Sequence, residues 1–353
     1  MTISAKRFQT LLLKWFDQHG RKHLPWQQNK TPYRVWVSET MLQQTQVSTV
    51  IPYFERFLDH FPSIEDLARA HEDEVLHLWA GLGYYSRARN LHKAAKMVVN
   101  DLAGHFPDTL DTLQILPGIG PSTAGAILAI AYNKSAAILD GNVKRVLTRL
   151  HGISEPINEK KIENKLWDIA VDFTPKERIA DYTQAIMDLG ATLCVRGQPQ
   201  CTNCPFKRFC VGHAEGIAAA LPKKKASKQI PTKTGTFLII RHQNRIFLQK
   251  RPATGIWGGL WCLPELSGAP DKKSINAFCQ RHFKSGEVKL TELTSFKHTF
   301  SHYHLMIHPI LIELTRTPLR VMEDEQTIWY NLAQPTALGL PRPIQTILRE
   351  QIL

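Results

Sequence analysis

From the start of the chain to about Leu221, apolar residues return at three- and four-residue spacing, the period of amphipathic helices. Thr31-Pro32 reads as a helix start, with Thr as N-cap and Pro at the first helical position. Trp36, Val47, Val50, Phe54, Phe57 and Leu58 then mark apolar stripes, and Pro52 predicts a break among them. Further helices are predicted near 64–70, 72–79, 85–101, 109–115, 122–132, 143–150, 159–173 and 177–190, divided by short turns with Gly, Pro or Asp. At Leu221 the character changes. L-P-K-K-K-A-S-K-Q-I-P-T-K, Leu221 to Lys233, is basic, holds two prolines and lacks aromatics, which suits a linker. Beyond it, T-F-L-I-I-R and R-I-F-L-Q-K-R flank H-Q-N, a strand–turn–strand signature, and the closing P-I-Q-T-I-L-R-E-Q-I-L reads as a helix. The expected architecture is multidomain: an all-α domain over 1–221, a linker over 222–232 and a smaller α+β domain over 233–353.

Composition narrows the class. With 353 residues, 43% apolar and 21% charged, the chain is long enough for two cores and too apolar to stay disordered. Net charge is +13, unevenly spread: residues 222–353 hold 19 Lys and Arg against 9 Asp and Glu, while residues 1–221 hold 25 against 22. Such an excess favours a polyanionic partner, nucleic acid above all. The longest uncharged apolar-leaning run, Gly118 to Asn133, is too short and mixed to span a bilayer, and no targeting segment is evident, so a cytoplasmic protein is expected; a monomer is expected as well. Four of six cysteines, Cys194, Cys201, Cys204 and Cys210, fall in a C-x6-C-x2-C-x5-C run. Without a secretion signal this reads as a metal site; zinc and a [4Fe–4S] cluster both fit the spacing.

The candidate chemistry begins at S-E-T-M-L-Q-Q-T-Q-V, Ser38 to Val47. Glu39 shares a helix face with Val35 and Leu42, and Gln43, Gln44 and Gln46 crowd the next turn. Burial against apolar neighbours raises a carboxylic acid's pKa. Asp140, in A-I-L-D-G-N-V-K-R-V-L, stands ahead of a helix beginning near Asn142, where N–H dipoles are expected to keep it ionised with a low pKa. An acid and an anion are what glycosidic bond cleavage needs. A solvated helix glutamate and a plain capping aspartate are the bland readings. L-P-G-I-G-P-S-T-A-G-A-I, from Leu116, places Gly118 and Gly120 in a hairpin before a small-residue helix, which suits a DNA phosphate. W-A-G-L-G-Y-Y-S-R-A-R-N opens a helix with Arg89, Lys93 and Lys96 on one face behind two tyrosines, an arrangement suited to a bent duplex. In K-H-T-F-S-H-Y-H-L, a Phe followed by Ser and His suits a base edge better than a metal.

S-E-T-M-L-Q-Q-T-Q-V, the L-P-G-I-G hairpin, L-D-G-N-V-K-R, the four-cysteine run and F-S-H-Y-H-L, in that order along the chain, together resemble the MutY family of adenine DNA glycosylases over nearly its whole length. The resemblance implies a helix–hairpin–helix glycosylase domain with a [4Fe–4S] cluster on Cys194, Cys201, Cys204 and Cys210, in a loop over 194–210. It implies base-excision repair of double-stranded DNA carrying adenine opposite 8-oxoguanine or guanine. Glu39 would protonate the flipped adenine, Asp140 would stabilise the sugar cation, and hydrolysis would leave an abasic site. Gln44 and Tyr84 would open the duplex beside 8-oxoguanine, with Gly118, Gly120, Ser122 and Asn142 as further DNA contacts. Phe300, Ser301 and His302 would recognise the lesion. Two departures stand out. Pro121 replaces a residue that is often basic in relatives. The segment R-P-A-T-G-I-W-G-G-L-W-C-L-P-E resembles a Nudix fold but lacks the acidic run that holds magnesium, so a recognition domain is expected. Endonuclease III-like relatives with lyase activity carry lysine where Ser122 stands, which predicts hydrolysis alone, with Lys144 as the alternative amine.

Overall fold

The computed structural model describes residues 3–223, 230–268, 270–284, 288–314 and 326–352. Its α-helices are α1 Ala5–His19, α2 Pro32–Leu42, α3 Val47–His60, α4 Ile64–Arg69, α5 Glu72–Trp79, α6 Ser86–Asp101 and α7 Leu110–Ile115. They continue with α8 Pro121–Ala131, α9 Gly141–Leu150, α10 Lys160–Phe173, α11 Ile179–Thr192, α12 Val211–Ala214, α13 Lys272–Phe283 and α14 Arg342–Ile347. The strands are β1 Thr232–His242, β2 Arg245–Lys250, β3 Trp261–Cys262, β4 Glu265–Ser267, β5 Lys289–Glu292, β6 Phe296–Thr299, β7 His304–Glu313 and β8 Thr327–Asn331. They fall into two compact units: Met1–Arg69 with Asn90–Ser227, and Ala70–Arg89 with Lys228–Leu353. The linker expected at 222–232 lies in part outside the described residues. No described helix is long and apolar enough to cross a membrane.

The first unit is helical, as the apolar periodicity requires. Thr31 caps α2 by accepting from the Arg34 N–H at 3.2 Å, and Pro32 sits at its first position. The break expected at Pro52 does not occur: α3 runs through it. Val50, Phe54, Phe57 and Leu58 are buried on one face of that helix, and their burial outweighs the one backbone bond that proline removes. One face of α1 (Phe8, Leu12, Trp15, Phe16) joins α9, α10 and α11 in a common core. The cysteine-bearing loop after α11 is pinned to this core by Phe206, which stacks on Phe8 at 4.4 Å. α2 packs on α8, and α9 packs on α11.

The second unit is a mixed sheet in the order β3-β2-β1-β7-β5, with β4, β6 and β8 paired to β1, β7 and β2. β1 and β7 run parallel and the other pairs antiparallel. Ile275, Cys279 and Phe283 of α13 cover one face, against Leu238, Ile240, Phe247, Ile312 and Trp329. α5 belongs to this unit. Lys250 reaches Asp73 at 3.1 Å, the His77 ring meets the Leu338 carbonyl at 3.1 Å, and Gly339 lies so close to Leu76 that a Cβ there would stand 2.6 Å from the Leu76 Cβ.

Candidate active site

Glu39 lies on α2 among side chains that turn inward: Val35, Trp36, Val37, Ser38, Thr40 and Met41 are all buried. Ser38 and Thr40 return their hydroxyls to the Val35 and Trp36 carbonyls, at 2.8 Å each, so neither solvates the acid. Among the described residues nothing hydrogen-bonds the Glu39 carboxyl group, which is enclosed by protein yet still touched by solvent. Burial, with the nearby charge of Asp140 second, pushes its pKa up to about 8.

Asp140 is the N-cap of α9 and is held quite differently. Its Oδ1 accepts from the Asn142 N–H at 2.9 Å and the Val143 N–H at 2.8 Å, and its Oδ2 accepts from Asn142 Nδ2 at 3.0 Å. The low pKa expected from the helix start is not what the structure shows. Burial pushes the Asp140 carboxyl above its ordinary range, and the three hydrogen bonds and the Arg145 guanidinium pull back only part of that rise. The two carboxyl groups remain unequal, because only Asp140 has donors to stabilise an anion.

The hairpin sets these two against each other. Gly118, at φ 84°, could not take a side chain, since a Cβ would come within 2.9 Å of the Asn90 Cβ. Gly120 caps α8 and has no protein atom within 4 Å of where a Cβ would be, so its backbone is open to close approach. Pro121 begins α8, as a proline at a first helical position should. Ser122 Oγ accepts from the Leu139 N–H at 3.0 Å, tying the start of α8 to the residue before Asp140. Gln43 Nε2 reaches Thr123 Oγ1 at 3.4 Å, tying the end of α2 to the same turn. Gln44 and Gln46 are exposed, and Gln44 stands in the left-handed region at φ 60°.

Asn142 is occupied locally. It donates to Asp140 and accepts at Oδ1 from Arg145 Nη2 at 2.8 Å. Arg145 also donates to the Gly190 and Cys194 carbonyls, at 2.6 Å each. One turn on, buried Arg149 donates to Cys194 Sγ at 3.3 Å, the Val195 carbonyl at 2.8 Å and the Leu221 carbonyl at 2.9 Å. Sequence reasoning passed over both arginines. The sequence carried little signal for them: that Val143 and residues 145–150 are buried, leaving α9 almost no solvent face, is seen only in the structure.

Cys194, Cys201, Cys204 and Cys210 are free, half-buried thiols. Burial raises the Cys204 thiol to about 12, with Cys194, Cys210 and Cys201 each adding to the rise. Burial raises Cys201 and Cys210 too, with Cys194 again contributing to both. Among the described residues no three His, Cys, Asp or Glu side chains are placed to hold a metal ion. Arg196, Lys207 and Arg208 on the same loop are exposed.

In the second unit, Tyr84 is 49% exposed at φ 49°, a strained setting for an aromatic residue. Its carbonyl accepts from the Arg87 N–H at 2.9 Å, and the Arg87 guanidinium lies 5.6 Å from its ring. Arg89, expected on a basic face toward a duplex, instead donates through Nη1 to the Gly258 carbonyl; Lys93 and Lys96 are exposed. The β6–β7 turn is closed by the Phe300 N–H donating to the Tyr303 carbonyl at 2.9 Å, with Ser301 and His302 exposed at its tip. Phe300 itself is half-buried against His298, Tyr303 and Trp257, at 4.7, 4.8 and 5.4 Å. α13, which follows the Nudix-like segment, carries no carboxylate.

Residues 37–170 match the HhH-GPD superfamily of base excision DNA repair proteins, and residues 235–350 match a NUDIX domain. A solved thermostable thymine-DNA glycosylase is similar to the helical part, with a TM-score of 0.55 and 27% identity over 60% of this chain and 97% of that one. Fold and site thus define a helix–hairpin–helix DNA glycosylase with an appended Nudix-like domain. Adenine DNA glycosylase of Buchnera aphidicola (subsp. Acyrthosiphon pisum) is 44% identical, covering 97% of this chain and 96% of its own. That of Rattus norvegicus is 36% identical, covering 84% and 69%. The chain belongs to the adenine DNA glycosylase family: it removes adenine from DNA by hydrolysing the N-glycosyl bond.

Proposed function

We propose that this glycosylase acts on adenine mispaired with 8-oxoguanine or guanine in double-stranded DNA, as a monomer, and leaves an abasic site without strand cleavage. The observation that carries the reading is the inequality of Glu39 and Asp140: one buried carboxyl group without donors, and one with three. Glu39, protonated at neutral pH, delivers its proton to a ring nitrogen of the extruded adenine, which becomes a neutral leaving group as the C–N bond breaks. Asp140, the better-solvated anion of the pair, faces the positive charge that develops on the sugar. Water then adds to the anomeric carbon.

Hydrolysis without lyase chemistry is supported by the amines present. Ser122 has a hydroxyl where a Schiff-base lysine would be needed, and Lys144 is held in an ion pair with Glu163 at 2.7 Å. Gly118, Gly120 and the first turn of α8 suit a phosphate. Ser122 and Asn142 shape that turn and the Asp140 cap, and touch DNA only through what those contacts leave free. Gln44 and Tyr84 part the base pair, and Phe300, Ser301 and His302 contact the base opposite adenine from a recognition domain at 233–353; the catalytic carboxyl groups belong to a domain at 1–221 whose residues 70–89 group with the C-terminal sheet.

Cys194, Cys201, Cys204 and Cys210 would hold a [4Fe–4S] cluster. Burial, with neighbouring cysteines adding to it, raises the Cys201, Cys204 and Cys210 thiols, so these groups would ionise readily only around a cationic centre, and four cysteine thiolates are a donor set that suits iron–sulfur chemistry. When bound, the cluster supplies a cross-link that fixes the loop carrying Arg196, Lys207 and Arg208. Single-turnover cleavage of duplexes with adenine opposite 8-oxoguanine, G, C or T tests the substrate reading: fast release opposite 8-oxoguanine and G alone is expected, and equal release opposite all four defeats it. Iron and sulfide analysis of the purified protein tests the cluster; stoichiometric zinc would overturn it.

A further inference from the structure

Tyr84, proposed to part the base pair, and Phe300, proposed to contact the base opposite adenine, both sit on short turns. Each leads back to the same place. Phe300 rests against Trp257 at 5.4 Å, and Trp257 also meets Phe237 at 6.2 Å, His298 at 5.9 Å and the Arg251 guanidinium at 5.9 Å. Trp257 is 8% exposed and stands at φ 55°, where a bulky residue is strained unless its surroundings hold it. The loop does so. Gly258 could not carry a Cβ, which would lie 2.5 Å from the Ala253 carbonyl oxygen. The Gly259 N–H donates to the Arg251 and Pro252 carbonyls, and the Leu260 N–H donates back to the Trp257 carbonyl at 3.0 Å. From the other side, Arg89, five residues after Tyr84, donates to the carbonyl of Gly258, the residue next to Trp257. Between them Arg87 donates to the Leu82 and Gly83 carbonyls and lies over the Trp79 and Tyr84 rings.

We propose that the 251–259 loop is a brace joining the Tyr84 turn to the Phe300 turn, with Trp257 and Arg89 as positioning residues for discrimination of the base opposite adenine. The inference rests on the reading of Tyr84 and Phe300 given above. Its physical content is preorganisation: a probe that tells 8-oxoguanine from guanine must hold its geometry before contact, or its selectivity is lost in ordering cost. The R-P-A-T-G-I-W-G-G segment, retained from a Nudix-like fold without its acidic run, thereby acquires a mechanical role in place of a catalytic one.

The test compares Trp257→Ala, Trp257→Phe, Arg89→Met, Phe300→Ala and the Trp257→Ala/Phe300→Ala double variant in the full-length protein. The readout is the ratio of single-turnover rate constants, at subsaturating enzyme, for adenine opposite 8-oxoguanine and opposite guanine. Trp257→Ala is expected to lower that ratio about tenfold, near the upper range for one aromatic pair. Trp257→Phe should restore most of it, and Arg89→Met should lower it in the same direction. The double variant should lose no more than Phe300→Ala alone, since Trp257, unlike Arg89 on the Tyr84 side, acts through that ring. An unchanged ratio in Trp257→Ala and Arg89→Met, with a lowered ratio in Phe300→Ala, overturns the brace and spares the reading of the turn. Additive loss in the double variant also overturns it. An unchanged ratio in Phe300→Ala overturns the reading beneath, and the brace with it. Should Trp257→Ala fail to fold, Trp257→Phe and Arg89→Met carry the same decision.

Discussion

The end of α2 and the start of α9 each bury a carboxyl group, and they do so by opposite means. Around Glu39 the helix turns its hydroxyls back onto its own carbonyls and leaves the acid to apolar neighbours. Around Asp140 the helix start contributes two N–H groups, Asn142 adds an amide, and Arg145 stands behind as a charge. Burial lifts both groups, so burial alone does not separate an acid from an anion. Hydrogen-bond supply does: a site without donors keeps its proton, while a site with three can give one up. The helix N-terminus matters here less as a dipole than as a source of directed N–H groups.

Removing the proton should have the largest effect. Glu39→Gln keeps the shape but cannot deliver a proton, and adenine release should fall by about 10³-fold or more in single-turnover assays while duplex binding persists. The same change should stabilise the fold. Glu39 holds a proton in the native state up to about 8 and releases it near its ordinary 4.5 when unfolded, so its contribution is fully favourable below about 4.5 and is lost as pH rises toward about 8. Allowing for its partial contact with solvent, roughly 2 kcal/mol should be regained at neutral pH in Glu39→Gln, read as a higher denaturant midpoint. A variant that is both active and no more stable would erase the distinction between the two sites.

Removing the anion comes next. Asp140→Asn keeps a cap for α9 but puts a neutral amide where charge should meet the sugar, and about 10²- to 10³-fold should be lost from the chemical step. Exchanging the titration of the two groups is a gentler perturbation. With Glu39 as the acid, single-turnover rates in the native protein should decline about tenfold per pH unit above roughly 8. A decline that begins two units lower would mean that Glu39 is not shielded as the structure has it.

Much of this was legible along the chain, for identifiable reasons. Helix periods, the Thr31-Pro32 start and the Gly118–Gly120 hairpin are local, and local preferences placed them well. Pro52 was misread because a breaker is judged by its own lost bond, whereas Val50, Phe54 and Phe57 hold the helix from outside. The rise at Asp140 was missed because a cap is visible in sequence and enclosure is not. Arg145 and Arg149 escaped notice because their partners are carbonyls at Gly190, Cys194, Val195 and Leu221, and every residue has a carbonyl. That residues 70–89 fold with the C-terminal sheet could not be read at all, since it depends on Lys250, Gly258 and Leu338, far along the chain.

The smallest effect is expected at Lys144, and its smallness is informative. The residue lies four positions after Asp140, in the first turn of α9, and an amine that attacked the sugar would convert hydrolysis to strand cleavage. Its ammonium is committed to Glu163 at 2.7 Å, and a protonated, paired amine is not a nucleophile. Both partners are partly exposed, so the pair adds little stability, and Lys144→Ala should change adenine release by no more than about twofold and the unfolding midpoint hardly at all. Borohydride should trap neither protein on DNA to any extent. Glu163→Gln is the sharper half of the experiment, because it frees the amine without removing it. If that variant alone becomes trappable, the ion pair is what keeps the enzyme a hydrolase; if the native protein is already trapped and Lys144→Ala is not, the chemistry belongs to the amine and the division of labour between α2 and α9 fails.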